Sequence, residues 1–427
     1  MQVLISLSIA LFAGLMLSRV AKLLQLPAVT AYLVAGVLIG PYCLGAFNVP
    51  GLGFNNKEQL DAMSIICDVA LGFIAFAIGN EFRLSQLKSI GKRATVIGVA
   101  QAVFTTIVVD CALIGLHFII PEKFPLSSAI ILGAVASATA PAATLMVVRQ
   151  YKAKGPVTDT LLPVVAIDDA VGLVLFAISF GVAKAVLSGA VDILSVVLEP
   201  ILEVVLSLGL GAIMGLLITY FEKFFHSRSK RLSMSVAFVL LTVGLTMIEG
   251  LHIGKVHVAF SSLLTCMMLG TVFCNFCDFS EELMDRLDRW TAPIFILFFV
   301  ISGAEFELSV MTDILIILVG VVYIAFRSAG KYFGAGLSSR LTKSDENIVK
   351  YLGITLLPQA GVALGMAIKA QVLGDVGVIV ANITLFSVLI YELIGPFLTK
   401  VALTKAGEID PEGKVSARQV DKPAQPQ

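Results

Sequence analysis

Two adjacent carboxylates, Asp168 and Asp169, interrupt a stretch of sequence, residues 161–172, that is otherwise apolar. A charged side chain inside a lipid bilayer costs about 2.5–3.5 kcal/mol on insertion scales, so such residues usually have a functional reason. Adjacent positions on a helix point about 100° apart, so the two carboxylates cannot face each other as a catalytic pair. We therefore expect one aspartate to bind a mobile cation and the other to pair with a basic residue of the protein.

Two further apolar segments each contain a proline near their middle, at Pro141 and at Pro358. A proline within a helix removes a hydrogen-bond donor and leaves carbonyl oxygens free, and small neighbouring residues allow a second helix to approach closely. We predict that both helices are broken at the same depth and cross, so that free carbonyls and the Thr139 hydroxyl bind a small cation beside Asp169. The residues expected at this crossing are Ser137, Ala140, Pro141, Pro358, Gln359 and Gly361.

Three more charged side chains within apolar segments are candidates for balancing the charge of the aspartates. Arg327 lies near the middle of its segment, and we expect it to pair with Asp168. Lys331 follows one turn later on the same helix face, and we interpret it as extending to the membrane surface, as long basic side chains do. Glu392, in the last apolar segment, offers Arg327 a second partner, and the sequence does not decide between Glu392 and Asp168.

The elements that position these residues follow from the composition of the chain. Of its 427 residues, 58% are hydrophobic and 14% are charged, whereas soluble domains have about 25% charged residues. This excludes an ordinary cytosolic enzyme and predicts an all-α polytopic membrane protein. Apolar windows long enough to cross a bilayer occur at about 3–24, 27–42, 60–79, 94–118, 127–148, 158–186, 193–221, 233–250, 256–274, 291–307, 313–337, 348–370 and 376–401.

Basic residues in the loops predict the orientation of the chain. The loops after odd-numbered windows hold eighteen Lys and Arg residues, and the loops on the other face hold five. Because basic loops remain in the cytoplasm, we expect a multi-pass protein of the cell (inner) membrane with its N-terminus outside and its C-terminus in the cytoplasm. The first window has no basic region before it and no cleavage site, so we interpret it as a membrane span.

The chain also contains an internal sequence repeat. Residues 79–84, Gly-Asn-Glu-Phe-Arg-Leu, match residues 303–308, Gly-Ala-Glu-Phe-Glu-Leu, and other matches follow in the same order. Equivalent windows are seven apart, so the two copies are inverted, as in secondary transporters with broken helices. We predict a transporter domain over 1–401, with inverted five-helix repeats at about 27–186 and 256–401, linking helices at about 193–250 and a short cytoplasmic tail at 402–427.

The sequence holds neither a G-x-G-x-x-G nor a G-x-x-x-x-G-K-[ST] motif, so we expect no nucleotide and no other cofactor. The formal net charge is zero, which gives no reason to expect a nucleic acid partner. The expected partners are monovalent cations, protons and the lipid bilayer. A sodium-coupled carrier of an organic solute on the same architecture remains an alternative, although two carboxylates disfavour an anionic substrate.

Four features together resemble the monovalent cation:proton antiporter superfamily, in the branch of bacterial sodium/proton and potassium-efflux antiporters. They are Ala-Thr-Ala-Pro at 138–141, Ile-Asp-Asp at 167–169, a base in the eleventh window, and Pro-Gln-Ala-Gly-Val-Ala-Leu-Gly at 358–365. The likeness covers residues 1–401. It implies a non-enzymatic exchanger of Na⁺ or Li⁺, with K⁺ possible, for protons.

The resemblance also implies roles for individual residues. Asp169 would bind the cation and the proton alternately, Asp168 would pair with the base of the eleventh window, and Thr139 would lie at the crossing and complete the alkali-cation site. The double aspartate resembles electrogenic members, in which a lysine usually occupies the place that Arg327 holds here. Because arginine does not deprotonate in a protein, Arg327 would not release a transported proton, and electrogenic exchange would require Lys331 to substitute for it. The family further implies a homodimer, for which we expect contacts through the first and seventh windows.

Overall fold

The computed structural model describes residues 2–23, 28–47, 53–54, 59–60, 62–140, 144, 147–148, 151–187, 193–248, 251–253, 256–258, 260–305 and 314–409. Most of these residues are helical, as the composition predicts. The helices are α1 (Gln2–Leu23), α2 (Ala28–Ile39), α3 (Ser64–Glu81), α4 (Leu84–Ile119), α5 (Leu126–Val135), α6 (Pro156–Leu187), α7 (Ile193–Glu222), α8 (Arg228–Thr246), α9 (Ser262–Phe276), α10 (Ser280–Ala304), α11 (Ile314–Leu341), α12 (Glu346–Thr355), α13 (Gly361–Ala370) and α14 (Asp375–Lys405).

Each apolar window of the sequence overlaps a helix of the described residues. Nine of these helices are long and apolar enough to cross a membrane, and four shorter apolar helices, α3, α5, α9 and α13, fall in the remaining windows. The predicted tail boundary at residue 402 lies inside α14, which continues to Lys405. Residues 410–427 of that tail lie outside the described residues.

Both predicted helix breaks occur. Helix α5 ends at Val135, and residues 136–140 leave the helical path. Helix α12 ends at Thr355, residues 356–360 are non-helical, and α13 begins at Gly361. The second break follows from Pro358, because the residue before a proline disfavours helical backbone angles. Pro141, which predicted the first break, lies outside the described residues.

The predicted start of the ninth window is wrong. The window begins at residue 256, but Val256–Val258 forms a short strand, β2, which pairs antiparallel with β1, Leu251–Ile253. Helix α9 begins only at Ser262, and the side chain of Ser261 caps its first turn. β-Branched valines on either side of a polar histidine favour a strand over a membrane helix, and hydropathy averaged over a long window conceals them.

Glycines allow two pairs of helices to touch through their backbones. A Cβ atom on Gly36 of α2 would lie 2.0 Å from the carbonyl oxygen of Val300 in α10, and one on Gly79 of α3 would lie 1.9 Å from that of Met267 in α9. Elsewhere α4 packs along both α6 and α11. The group formed by α4, α6 and α11 carries the aspartates and the predicted bases, so its packing positions the candidate site. The inverted relation of the two repeats stays a prediction.

Candidate ion-binding site

The two broken segments meet at their backbones. The N–H group of Ala140, after α5, donates a hydrogen bond of 2.9 Å to the carbonyl oxygen of Pro358, between α12 and α13. Ser137, Thr139, Pro358 and Gln359 are all buried close to this contact. The crossing that the sequence predicts is therefore present among the described residues.

Arg327 binds carbonyl groups that the two breaks leave free. Its Nε donates to Ala136 at 3.0 Å, its Nη2 to Ala138 at 2.7 Å and its Nη1 to Leu357 at 2.7 Å. The guanidinium carbon also lies 4.5 Å from the centre of the Tyr391 ring. The side chain is fully buried, so Arg327 holds both broken segments together with a fixed positive charge.

The predicted pairing of Arg327 with Asp168 is wrong, and Lys331 takes that place. Lys331 Nζ lies 2.7 Å from Asp168 Oδ2, and neither side chain is exposed. Lys331 also donates to the Ser137 carbonyl and to Thr139 Oγ1. A planar guanidinium with five fixed donors suits several carbonyls at once, whereas an ammonium acts as a compact point charge. The interpretation of Lys331 as extending to the membrane surface is also wrong, because its ammonium group is buried against Asp168.

One of the two carboxylate oxygens of Asp168, Oδ2, is surrounded by hydrogen-bond donors. Besides Lys331, Asp168 Oδ2 accepts hydrogen bonds of 2.7 Å from Gln101 Nε2 and from Thr139 Oγ1. Asp168 Oδ1 has no hydrogen-bond partner among the described residues. Sequence reasoning missed Gln101, although an amide in the middle of an apolar window is a signal that could have identified it.

Asp169 has different surroundings from its neighbour. Its Oδ1 accepts a hydrogen bond of 3.2 Å from the backbone N–H of Thr139, at the break after α5. The side chain is 2% exposed. Asp168, Asp169 and Thr139, the three residues predicted to bind a cation, are thus brought together, with one aspartate paired to a lysine and the other contacting the broken helix.

Gln359 connects the crossing to two more helices. Its Nε2 lies 3.0 Å from the Val135 carbonyl and 2.9 Å from the Tyr323 hydroxyl, and its Oε1 accepts from Ser387 at 3.1 Å. Tyr323 and Ser387 were not identified from the sequence, because a single Tyr or Ser in a membrane helix is common. This network fixes the amide beside Pro358.

Glu392 is not a partner of Arg327. Its Oε2 accepts a hydrogen bond of 3.3 Å from Thr30 Oγ1 on α2, and the side chain is 1% exposed. Both pairings that the sequence left open for Arg327 are therefore wrong, since its hydrogen bonds go to three backbone carbonyls. No group of three or more His, Cys, Asp or Glu side chains with metal-binding geometry occurs in the described ranges. The oxygens at the crossing belong instead to carboxylates, a hydroxyl and backbone carbonyls.

Comparison with known proteins identifies the family. The profile described as "Sodium/hydrogen exchanger, transmembrane" matches residues 7–405. The chain belongs to the sodium/hydrogen exchanger family. Its members are transporters that perform cation/proton antiport, not enzymes. No curated protein sequence matches the chain.

Two solved structures share this exchanger's fold. One is the sodium proton antiporter MjNhaP1 from Methanocaldococcus jannaschii at pH 8, with 19% sequence identity and a TM-score of 0.71 over 94% of this chain and 100% of that chain. The other is an electron-microscopy structure of the same antiporter, with 15% identity and a TM-score of 0.71 over 95% of this chain and 98% of that chain. At these identities the likeness establishes the fold and leaves the ion undetermined.

Proposed function

We propose that this exchanger is a secondary active antiporter that exchanges Na⁺ or Li⁺, and less readily K⁺, for protons at Asp169. The observation that carries the proposal is the unequal treatment of two adjacent aspartates. Asp168 forms an ion pair with Lys331, while Asp169 lies at the broken helix and accepts from the Thr139 backbone. The first arrangement balances the charge of Asp168 with that of Lys331, and the second places a carboxylate beside the oxygens that a small cation needs.

Competition between the two ions at Asp169 couples their transport. A buried carboxylate without a bound ion is costly to move through the bilayer. The helices that carry the crossing therefore change sides only when Asp169 holds a proton or a cation. Since the two ions exclude each other, the gradient of one drives the other, and the cycle needs neither ATP nor a cofactor. This is alternating access at a single site near the middle of the membrane.

Arg327 and Lys331 have separate roles in this cycle. Arg327 keeps its proton and stabilises the free carbonyls at both breaks. Lys331 can lose its proton when buried, and when Asp169 binds a cation the lysine gives up a proton as well. More than one proton then moves per cation, so the exchange is electrogenic.

The architecture proposed for this function is the one that the sequence predicts. Two inverted five-helix repeats carry the crossing, the N-terminus lies outside the cell membrane and the C-terminus lies in the cytoplasm. A homodimer forms through α1 and α7, whose outer faces carry exposed apolar side chains such as Phe12 and Ile213.

The test uses purified protein in liposomes that contain a pH-sensitive dye. The interior of the liposomes is made acidic relative to the outside, and Na⁺, Li⁺, K⁺ or choline is added outside. We expect an alkali cation to dissipate the gradient and Asp169→Asn to abolish the response. Asp110→Asn is the matched control, because Asp110 is an acid of α4 that packs against Gly133, outside the crossing. If the folded protein exchanges none of these cations between about pH 6 and 9, the proposal is contradicted and a carrier of a larger solute is favoured.

A further inference from the structure

The chain turns sharply after α14 and returns to the start of α6. Gly407 has a φ of +76°, which favours glycine. Its N–H bonds to the Thr404 carbonyl at 3.0 Å, and the N–H of Glu408 bonds to the Leu403 carbonyl at 3.0 Å. This pair of bonds is the Schellman motif that ends many helices. It directs Glu408 away from α14 and toward the helix that carries the aspartates.

The Glu408 carboxylate caps the first turn of α6. Its Oε1 accepts from the backbone N–H of Val157 at 2.6 Å, and its Oε2 accepts from the N–H and the hydroxyl of Thr158 at 2.8 and 2.7 Å. The first N–H groups of a helix have no partner within the helix, and this end carries partial positive charge. A carboxylate from a residue about 250 positions away satisfies both needs here.

The surroundings of this cap are built to hold it. A Cβ atom on Gly155 would lie 2.5 Å from Glu408 Cδ, so a larger residue there would displace the carboxylate from this position. The N–H of Lys154 donates to the Glu408 carbonyl at 3.1 Å. Ile409 is buried among apolar residues of α4, α6, α11 and α12, and Glu408 itself is only 7% exposed. The cap thus lies where the helices of the ion site pack together.

Other charged residues near the cap leave Glu408 without an ionic partner. The elements packed here carry Lys154 before α6, Asp159 in its first turn, Lys405 at the end of α14, Glu346 and Lys350 on α12, Lys92 and Arg93 on α4, and Arg340 on α11. Lys350 pairs with Glu346. Across the described part of the chain, Glu408 forms no salt bridge, so no ion-pair partner neutralises its negative charge at the first turn of α6.

We propose that Glu408 is a positioning residue for the ion site: held at the first turn of α6, its negative charge strengthens the binding of both cation and proton at Asp169. Twelve residues of helix separate Val157 from Asp169, or about 18 Å. With an effective dielectric constant of about 20, one unit charge at that distance changes a binding constant about fivefold. Arg327, Lys331 and Asp168 set the local field, and Glu408 adds to it from the end of the helix. The inference rests on the proposed function.

This effect has a signature that a general structural defect lacks. Glu408→Gln removes the charge and keeps one oxygen acceptor. At alkaline pH, where protons do not compete, we expect the KM for the transported cation to rise about fivefold. At acid pH the KM should not rise, because the binding of competing protons weakens by at least the same factor as the binding of the cation. The pH of half-maximal exchange should fall by about 0.7 unit, the logarithm of that factor.

Two matched variants separate charge from stability. Ile409→Ala destabilises the same end of the bundle without altering any charge, so its melting temperature should fall while KM and the pH profile stay unchanged. Glu346→Gln removes an exposed charge from the same end of the bundle and should change neither the KM nor the pH profile. Thermal stabilisation of Glu408→Gln by the transported cation gives a second estimate of affinity and shows that the variant is folded.

The outcomes are distinguishable from failure of the proposed function. If the wild-type protein exchanges no cation, the function itself is wrong. If the wild type is active and Glu408→Gln shows the same KM as wild type at alkaline pH, Glu408 has no effect on the ion site and the inference is overturned. An equal rise in KM at acid and alkaline pH, or the same rise in Ile409→Ala, also overturns it, because either points to structural damage.

Discussion

Lys331 and Asp168 form an ion pair of 2.7 Å in which both side chains are fully buried. Thr139 Oγ1 donates to the same carboxylate oxygen and accepts from the same ammonium, so the three side chains form a closed triangle. The pair joins α6 to α11 at the level of the helix crossing. Its neighbour Asp169 is the acid at which we propose that the exchangeable ion binds.

Removing Lys331 should destabilise the protein more than removing both members of the pair. Lys331→Gln leaves Asp168 as a buried charge without its cation, which costs about 3–5 kcal/mol. We expect the double variant with Asp168→Asn to unfold at a higher temperature than Lys331→Gln alone, measured in detergent. Lys350→Gln, which breaks an exposed ion pair, is the control and should leave the melting temperature unchanged. Additive effects of the two substitutions would contradict a direct interaction.

Lys331 should also determine whether exchange moves net charge. In the wild type, we expect a negative-inside membrane potential to change the rate of exchange, because more than one proton moves per cation. In Lys331→Gln the second proton is missing, and the residual exchange should no longer respond to the potential. The measurement compares liposomes with and without a potassium diffusion potential. A wild-type rate that ignores the potential would show that Lys331 keeps its proton throughout the cycle.

Arg327→Lys should fail despite conserving the charge. A lysine cannot reach three carbonyls at once, and each hydrogen bond to a charged group contributes about 1.5–3 kcal/mol. We expect the melting temperature to fall by about 5–10 °C and exchange to be lost. Arg340→Lys, at an exposed position of the same helix, is the comparison that should be neutral. Full activity of Arg327→Lys would mean that positive charge alone suffices at the crossing.

Thr139 should act through its hydroxyl group. Thr139→Val preserves the shape of the side chain but removes one partner each from Asp168 and Lys331, and we expect the cation KM to rise about tenfold, equivalent to about 1.4 kcal/mol. Thr139→Ser keeps the hydroxyl and should remain close to wild type. Thr242→Val serves as the control, since the Thr242 hydroxyl bonds only within its own helix. A serine variant as weak as the valine variant would assign the effect to the methyl group.

Glu392 should prove dispensable for charge balance. Its contact is the Thr30 hydroxyl, which a glutamine amide can also bond, so Glu392→Gln removes a buried charge without leaving Arg327 unpaired. We expect the melting temperature to stay the same or to rise slightly, and exchange to persist. In a double-mutant cycle with Arg327→Lys, the coupling energy should lie within about 0.5 kcal/mol of zero. A larger coupling energy would support the ion pair between Arg327 and Glu392 that the sequence left open.

The sequence predicts the helices well because length and hydropathy are local properties. It also predicts both breaks and the meeting of Thr139 with the aspartates, since proline acts on its own helix. It does not assign Arg327 and Lys331 to their partners, because the two residues share one helix face and only packing decides the depth at which each side chain ends. Gln101 and Tyr323 were missed because a single polar group gains meaning only from the atoms opposite it.

The same packing sets a limit on the charge of the transported ion. The two acids Asp168 and Asp169 equal in number the two bases Arg327 and Lys331, so the four side chains carry no net charge when all are ionised. In the proposed cycle an alkali ion adds one positive charge, and the proton that Lys331 gives up removes one. A divalent ion such as Ca²⁺ adds twice that charge, and the single proton of Lys331 offsets only half of it. We therefore expect the proposed site to discriminate against Ca²⁺ and Mg²⁺ by valence, before size is considered.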